Sequence, residues 1–314
     1  MASSFPDALR APTFIRRLFS QFPLVTHPVD PHPLTVDDFQ PSSSSTSSSS
    51  SSSSKCENTL YSFTTCADSK TASFNPACLK WQTYLRIRSI PFKTQPSNNH
   101  ASPSGALPFM IVSPSSSSSS SSSSERKSQT IPSGKLARWI DEHATIGSVN
   151  TVDTDGGDYR AFLSLVEGAV RDAWLYALYI DPTNLANLTV PKYTSTVPLW
   201  PIPHLQGAQM RQAAINSIRT SSSSSKTATP SGTEIYDKAA EAFSALSTLL
   251  AGDTWFFGAA EAGVFDAEVF AYTHLLLTVG DGMKGSSGEG LVSSLRGFEN
   301  LCGHEERIRR RWFS

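Results

Sequence analysis

Cysteine, serine, histidine and arginine carry most of the chemistry this chain could do, and their spacing restricts it. The four cysteines are Cys56, Cys66, Cys78 and Cys302. No two form a Cys-x-x-Cys pair and no histidine cluster stands at zinc spacing, so neither a metal nor a dithiol centre is expected. Cys78 and Cys302 fall in apolar helical patterns, where a buried free thiol is the expected role. That usage fits a reducing compartment. Cys66 lies in a polar stretch from Thr64 to Phe74 and reads as a spare loop thiol. His274 sits in an apolar helix without a titratable neighbour in sequence, as a core histidine does. Ser133 reads as a helix cap. One basic run remains: Arg307, Arg309, Arg310 and Arg311, followed by Trp312 and Phe313. It could rest on anionic headgroups or on an acidic partner surface. Equally, it could be a solvated helix end whose arginines meet the negative dipole terminus.

The elements that would position these groups begin with Asn75-Pro76-Ala77-Cys78-Leu79, a full helix-start signature. Asn75 can cap, Pro76 suits the first helical position, and Phe74 can staple onto Leu79. Cys78, Trp81 and Leu85 form one apolar stripe, and Ile90-Pro91 ends the helix. Leu60–Phe63 reads as a strand before it, and Phe92–Gln95 as a strand after it. Gly105-Ala106-Leu107-Pro108 then leads into an apolar strand, Phe109–Val112. A proline at a strand start belongs at an edge or a special turn, and Pro108 is the candidate for a cis peptide bond. A short strand near Ser128–Ile131 and a helix at Lys135–His143 complete the order strand, helix, strand, strand, strand, helix. That order is a thioredoxin-like layout with one crossover.

Strands stop after Asp158. Tyr159–Ile180 is apolar on more than one side, as a helix buried in a bundle is, and Asp181-Pro182 closes it. Further helices are expected at His204–Ile218, from a Ser231/Glu234 capping box to Gly252, at Val264–Val279, and through Leu291 to Leu301 before the basic tail. Lysine plus arginine total 26 against 27 acidic residues, a net charge of −1, which argues against a general nucleic-acid binder. No window approaches the ~20 apolar residues of a spanning helix, so a soluble or peripheral protein is expected. Serine tracts at 42–54, 115–124 and 221–225 cannot offset the entropy of ordering and read as disordered inserts in exposed loops. The expected organisation is an N-terminal arm (1–41), a serine-rich linker (42–57), a thioredoxin-like domain (58–145) with a disordered insert (114–126), and a helical domain (146–314) with a flexible loop (220–230). In the arm, Phe14-Ile15-Arg16-Arg17-Leu18-Phe19 has some presequence character, but Pro6, Asp7 and Pro12 favour an arm packed on the body.

An α+β thioredoxin-like domain followed by an all-α domain resembles the glutathione transferase fold. Gly105 to Met110 resembles the segment before that fold's third strand. Gly263-Val264-Phe265-Asp266 resembles the capping box of its buried sixth helix, with Asp266 matching and Gly263 departing from the usual Ser or Thr. Within that fold the chain resembles the metaxin family. The matching residues are Asn75 to Leu79 with Tyr84-Leu85-Arg86, Ser102 to Phe109, and Gly297 to Cys302 with Arg307-Ile308 and Trp312-Phe313. Phe22-Pro23-Leu24 and the Ser97 to His100 loop resemble that family's small subunit, which lacks a membrane anchor.

The resemblance implies a non-catalytic, cofactor-free subunit of the mitochondrial sorting and assembly machinery. It would be peripheral on the cytosolic face of the outer membrane and help insert β-barrel precursors. Its implied partners are a barrel-forming channel subunit, a second metaxin-like subunit and the precursors themselves, with no nucleic acid. The backbone at Ala106, Leu107 and Pro108 is the candidate edge for an extended precursor signal. The alternatives are an active glutathione transferase or a scaffold of that fold in a soluble complex. An active transferase needs a Tyr, Ser or Cys after the first strand to hold a thiolate near a helix N-terminus. Ser62 and Cys66 are the candidates, with Ser133 a candidate partner for a glutathione carboxylate.

Overall fold

The structure is a computed structural model that describes residues 58–68, 70–112, 128–144, 152–194, 201–221, 231–283 and 286–314. The expectations for the arm, the serine-rich linker with Cys56, the insert 114–126 and most of the loop 220–230 lie outside these residues.

Four strands form the sheet: β1 (Asn58–Ser62), β2 (Lys93–Pro96), β3 (Phe109–Val112) and β4 (Gln129–Pro132), ordered β2-β1-β3-β4. β1 and β2 are parallel, joined through helix α1 (Pro76–Ile87), whereas β3 runs antiparallel to both β1 and β4. Alternation sorts the strands onto two faces. Leu60, Met110 and Ile131 share one apolar cluster with Tyr84 and Leu85 of α1 and with Leu136 and Ile140 of α2 (Ser133–His143). Tyr61 and Phe109, paired across β1 and β3, stack on the other face with ring centres 4.7 Å apart.

Helix α1 starts where its sequence says. The Asn75 side chain accepts the Cys78 N–H at 3.2 Å, and Pro76 occupies the first turn, where its missing N–H costs nothing. Phe74 stands edge-on to Tyr193, ring centres 5.1 Å apart. The Leu107–Pro108 peptide bond is cis, as Pro108's position suggested. Ser133 is not the cap of α2; it lies inside the first turn, and Pro132 occupies the cap position without a side-chain bond.

The helical half comprises α3 (157–180), α4 (182–193), α5 (Ile202–Ser221), α6 (Gly232–Leu250), α7 (Val264–Val279), α8 (Ser286–Arg296) and α9 (Glu299–Trp312). α3 is continuous but takes π-type turns at Val166–Val170 and Tyr176–Ile180. Asp181-Pro182, expected only as a stop, also starts α4: the carboxylate accepts the Thr183 and Asn184 N–H groups at 2.9 and 3.0 Å. Ser231 stands at the cap of α6 but makes no side-chain cap bond, so the expected capping box does not form. The single closing helix becomes two, α8 and α9, separated by Gly297 and Phe298.

The described residues fall in one compact unit, so the thioredoxin-like and helical halves share a body. Helix α7 is its axis, with Phe265 to Thr273 buried on every side. It packs along α1. Ala267 joins the sheet-side core, and Leu79 of α1 joins the helical core in return.

Candidate functional site

The residues singled out by chemistry fall in three places: the loop before β3, the N-terminus of α1, and the seam where α9 meets α1.

Before β3, Asn98 caps a short 3-10 turn (Asn99–Ala101), which aims the Asn99 carboxamide at the strand start. Asn99 Oδ1 accepts the Leu107 N–H at 3.1 Å, and the Ser102 hydroxyl donates to the Ala106 carbonyl at 2.7 Å. Ala106 is exposed, while Leu107 and Pro108 are buried. The expected open edge at Ala106, Leu107 and Pro108 is therefore occupied by its own loop, and an incoming strand would have to displace both bonds. Sequence patterning could not anticipate this, because both partners belong to the loop and carry no periodic signal.

At the N-terminus of α1 the chain again occupies a place where a ligand might bind. Free N–H groups in a first helical turn attract anions. Here Asn75 Oδ1 takes the Cys78 N–H, while Asn75 Nδ2 donates to the Tyr193 hydroxyl at 3.1 Å, which also accepts the Tyr179 O–H at 2.8 Å. Phe63 and Phe74 close around Tyr193, with the Phe63 ring 5.0 Å from it. Beside this cluster a shallow, partly open cleft lies between α3, α4 and Phe74. Trp174, Leu178, Tyr179 and Leu188 line it, and Lys192 stands at its rim.

The transferase candidates do not converge on that helix end. Ser62 is fully buried on β1, with its hydroxyl unpartnered. Cys66 is exposed in the loop and bonded to the Thr71 hydroxyl at 3.2 Å. That bond, with help from a backbone N–H, lowers the Cys66 thiol pKa. Burial pushes Cys78 up to about 12, so it is an inert core thiol. Cys302 is half-buried, and desolvation raises its pKa too.

The basic tail divides. Trp312 and Phe313 turn back onto the body: Trp312 lies 5.8 Å from Trp255, Phe313 lies 5.5 Å from Phe270, and the Arg86 guanidinium stacks 3.9 Å over the Phe313 ring. Arg86 also donates to the Trp312 carbonyl. Arg309, Arg310 and Arg311 look outward and find partners within their own helix, whereas the half-buried Arg307 reaches outside it. Arg310 pairs with Glu306 at 2.5 Å, Arg309 approaches Glu305 at 3.5 Å, and Arg307 donates to the Thr254 carbonyl at 3.1 Å. Arg311 lies over the Trp312 ring.

Two buried pairs went unread in the sequence. His304 Nε2 meets Asp266 Oδ1 at 2.9 Å with both side chains almost wholly buried. The same carboxylate accepts the Phe256 and Gly263 N–H groups at 3.1 and 2.8 Å, so the expected half-box at Gly263 is present through Asp266 alone. Position 304 falls on the buried stripe Leu301, His304, Ile308, the one signal that could have revealed it. His274, expected to be a satisfied core histidine, stacks on Phe270 and bonds Glu305 at 2.7 Å. Across the seam, Lys80 of α1 pairs with Glu268 of α7. Among the described residues no group of three or more His, Cys, Asp or Glu side chains could hold a metal ion.

Comparison with known proteins agrees with this architecture. The family described as "Glutathione S-transferase N-terminal domain" matches residues 76–184, and the one described as "Glutathione S-transferase, C-terminal domain" matches residues 239–308. Mouse metaxin-1 is 28% identical over 234 residues, covering 74% of this chain and 68% of that protein. Mouse metaxin-2 is 22% identical over 244 residues, covering 77% of this chain and 83% of that protein. Among solved structures, glutathione transferase Omega 2S from Trametes versicolor superposes with a TM-score of 0.47 at 13% identity, covering 81% of this chain and 88% of that one.

Proposed function

This chain belongs to the metaxin family of glutathione-transferase-like proteins, and from that premise we propose that it is a non-catalytic subunit of protein import at the mitochondrial outer membrane. More finely, it is a peripheral subunit of the sorting and assembly machinery on the cytosolic face. There it helps recognise β-barrel precursors and pass them to a barrel-forming channel subunit, beside a second metaxin-like subunit. Identity is higher to metaxin-1, but the match spans more of metaxin-2, which supports the small, metaxin-2-like role.

The observation that carries the non-catalytic reading is the closed N-terminus of α1. A transferase of this fold would hold a thiolate there. In this chain Asn75 and Tyr193 fill the position from within, Ser62 is buried behind the strand, and Cys66 hangs in an outer loop. The reading does not rest on the Ala106–Leu107 edge, whose N–H and C=O are already bonded. Nor does it need a spanning helix; among the described residues none is long and apolar enough to cross a membrane.

The test is to isolate mitochondria from cells expressing tagged protein, extract with mild detergent and identify what co-purifies. A barrel-forming outer-membrane subunit in near-equal amount is expected. Protein that stays in the cytosol, alone and retained by glutathione resin, would overturn the reading in favour of an active transferase.

A further inference from the structure

The cleft beside Tyr193 carries a single charge. Trp174 and Leu178 of α3, Leu188 of α4, Phe74 and Val279 give it apolar walls, and Lys192 on the last turn of α4 stands at its rim. No Asp or Glu is among its lining residues. Trp174 and Leu178 are almost wholly buried, so these walls belong to the packed body of the protein.

Other lysines sit differently. Lys80 pairs with Glu268 and Lys238 with Glu234, while Lys70, Lys93 and Lys135 stand at exposed surface positions. Lys192 has no ion pair or hydrogen bond among the described residues. A carbonyl of its own turn, that of Val190, is already taken: it accepts the Thr194 N–H at 2.9 Å and the Thr194 hydroxyl at 2.7 Å. The Lys192 side chain is open to solvent on one side, and the cleft walls strip water from the other. That partial burial disfavours the charged form and lowers the pKa of its amine.

An amine in such a place combines two properties that seldom meet. A lysine out in water is reachable but protonated, so its lone pair is unavailable; a lysine deep in the core is unreachable. Lys192 is reachable, and it loses hydration without gaining a carboxylate to hold its charge. Desolvation against apolar surface is a known way of making a lysine nucleophilic.

We infer that Lys192 is a site of covalent acylation, taking a short acyl group from an acyl thioester and laying it against the apolar walls of the cleft. The neutral Nζ attacks the thioester carbonyl carbon. A C–N bond forms and the C–S bond breaks; the sulfur leaves with the bonding pair as a thiolate and takes up the proton that the nitrogen loses. The product is a neutral amide. It removes the cleft's one charge, and its acyl carbons gain by leaving water for Trp174, Leu178 and Leu188. The inference goes beyond the import reading and does not depend on it.

The test treats purified full-length protein at neutral pH with a limiting amount of S-acetyl-N-acetylcysteamine, a small acetyl thioester, and follows each lysine by peptide mass spectrometry. Lys192 is expected to be acetylated several-fold faster than Lys70, Lys93 and Lys135 in the same sample. In urea, where the cleft no longer exists, that lead should vanish. Leu188→Glu sets a carboxylate four residues before Lys192 in the same cleft, spaced to pair with it along the helix. It should slow acetylation of Lys192 several-fold and leave Lys93 unchanged. Lys192 reacting no faster than the exposed lysines overturns the inference. So does a lead that survives urea, because it would come from the local sequence, and so does a folded Leu188→Glu protein that reacts like wild type. The urea comparison uses wild-type protein alone, so it decides the matter even for a variant that does not fold.

Discussion

Cys66 and Cys78 show how far two thiols on either side of one helix start can diverge. Cys66 is exposed, and the Thr71 hydroxyl lowers its pKa; Cys78, one turn into α1, is pushed up to about 12 by burial. Because the thiolate is the nucleophile, alkylation at mildly alkaline pH should modify Cys66 first among the three described cysteines. Cys302, its pKa raised by desolvation, should follow more slowly, and Cys78 should react only on unfolding. Peptide mapping after a short iodoacetamide pulse reads this order directly. Thr71→Ala should slow Cys66, and equal labelling of Cys66 and Cys302 would contradict the assignment. The partner of this loop thiol is the Thr71 hydroxyl.

At the scale of elements, α1 connects the two halves, and its cap is the joint. Asn75 stabilises the first turn through Cys78 N–H and reaches across to Tyr193 on α4. Asn75→Ala removes both bonds at once. It should cost about 1–2 kcal/mol, the upper range for a lost cap, read as a lower urea midpoint with an unchanged slope. Asn75→Asp keeps the cap but loses the donor to Tyr193, so it should recover part of that loss. No difference between the two variants would mean that the Tyr193 bond contributes nothing. The far end of α1 is fastened differently, by Arg86 over Phe313 and onto the Trp312 carbonyl. The C-terminal aromatics thus act as packing residues, while the arginines beside them stay at the surface.

Over the whole molecule, the ion pair between Lys80 and Glu268 joins the thioredoxin-like half to the helical half inside a largely dry seam. Burial raises the Glu268 carboxyl above its usual range, with Lys80 opposing the shift. In the window above the ordinary carboxylate pKa, the folded state therefore holds a proton that the unfolded state releases. The stability this contributes is present below the unfolded pKa and is lost as pH rises through the folded one. Glu268→Gln removes that dependence. Urea midpoints measured across the mildly acidic range should fall with pH more steeply for wild type than for the variant. Identical slopes would place the pH sensitivity elsewhere. Asp172, whose pKa burial also raises, remains in both proteins and sets a common background.

Much of this architecture was legible because its causes are local. Asn75-Pro76 carries its own cap and first-turn geometry, Phe109–Val112 its apolar run, and Val264–Val279 an apolar stretch long enough to be recognised as a buried helix. Their order alone gave the two-part fold, and the motifs spaced along it gave the family resemblance. Tertiary structure decided what each polar group in that frame is for. Asn99 and Ser102 occupy the backbone expected to receive a strand. Tyr193 closes the helix end at which an active transferase would hold its thiolate. Arg86 meets a carbonyl 226 residues away and lies over the Phe313 ring. Asp266 and His304 find each other across 38 residues in the core. Periodicity and capping act over a few residues, so they could fix helices and strands, but these bonds exist only once remote segments are packed against each other.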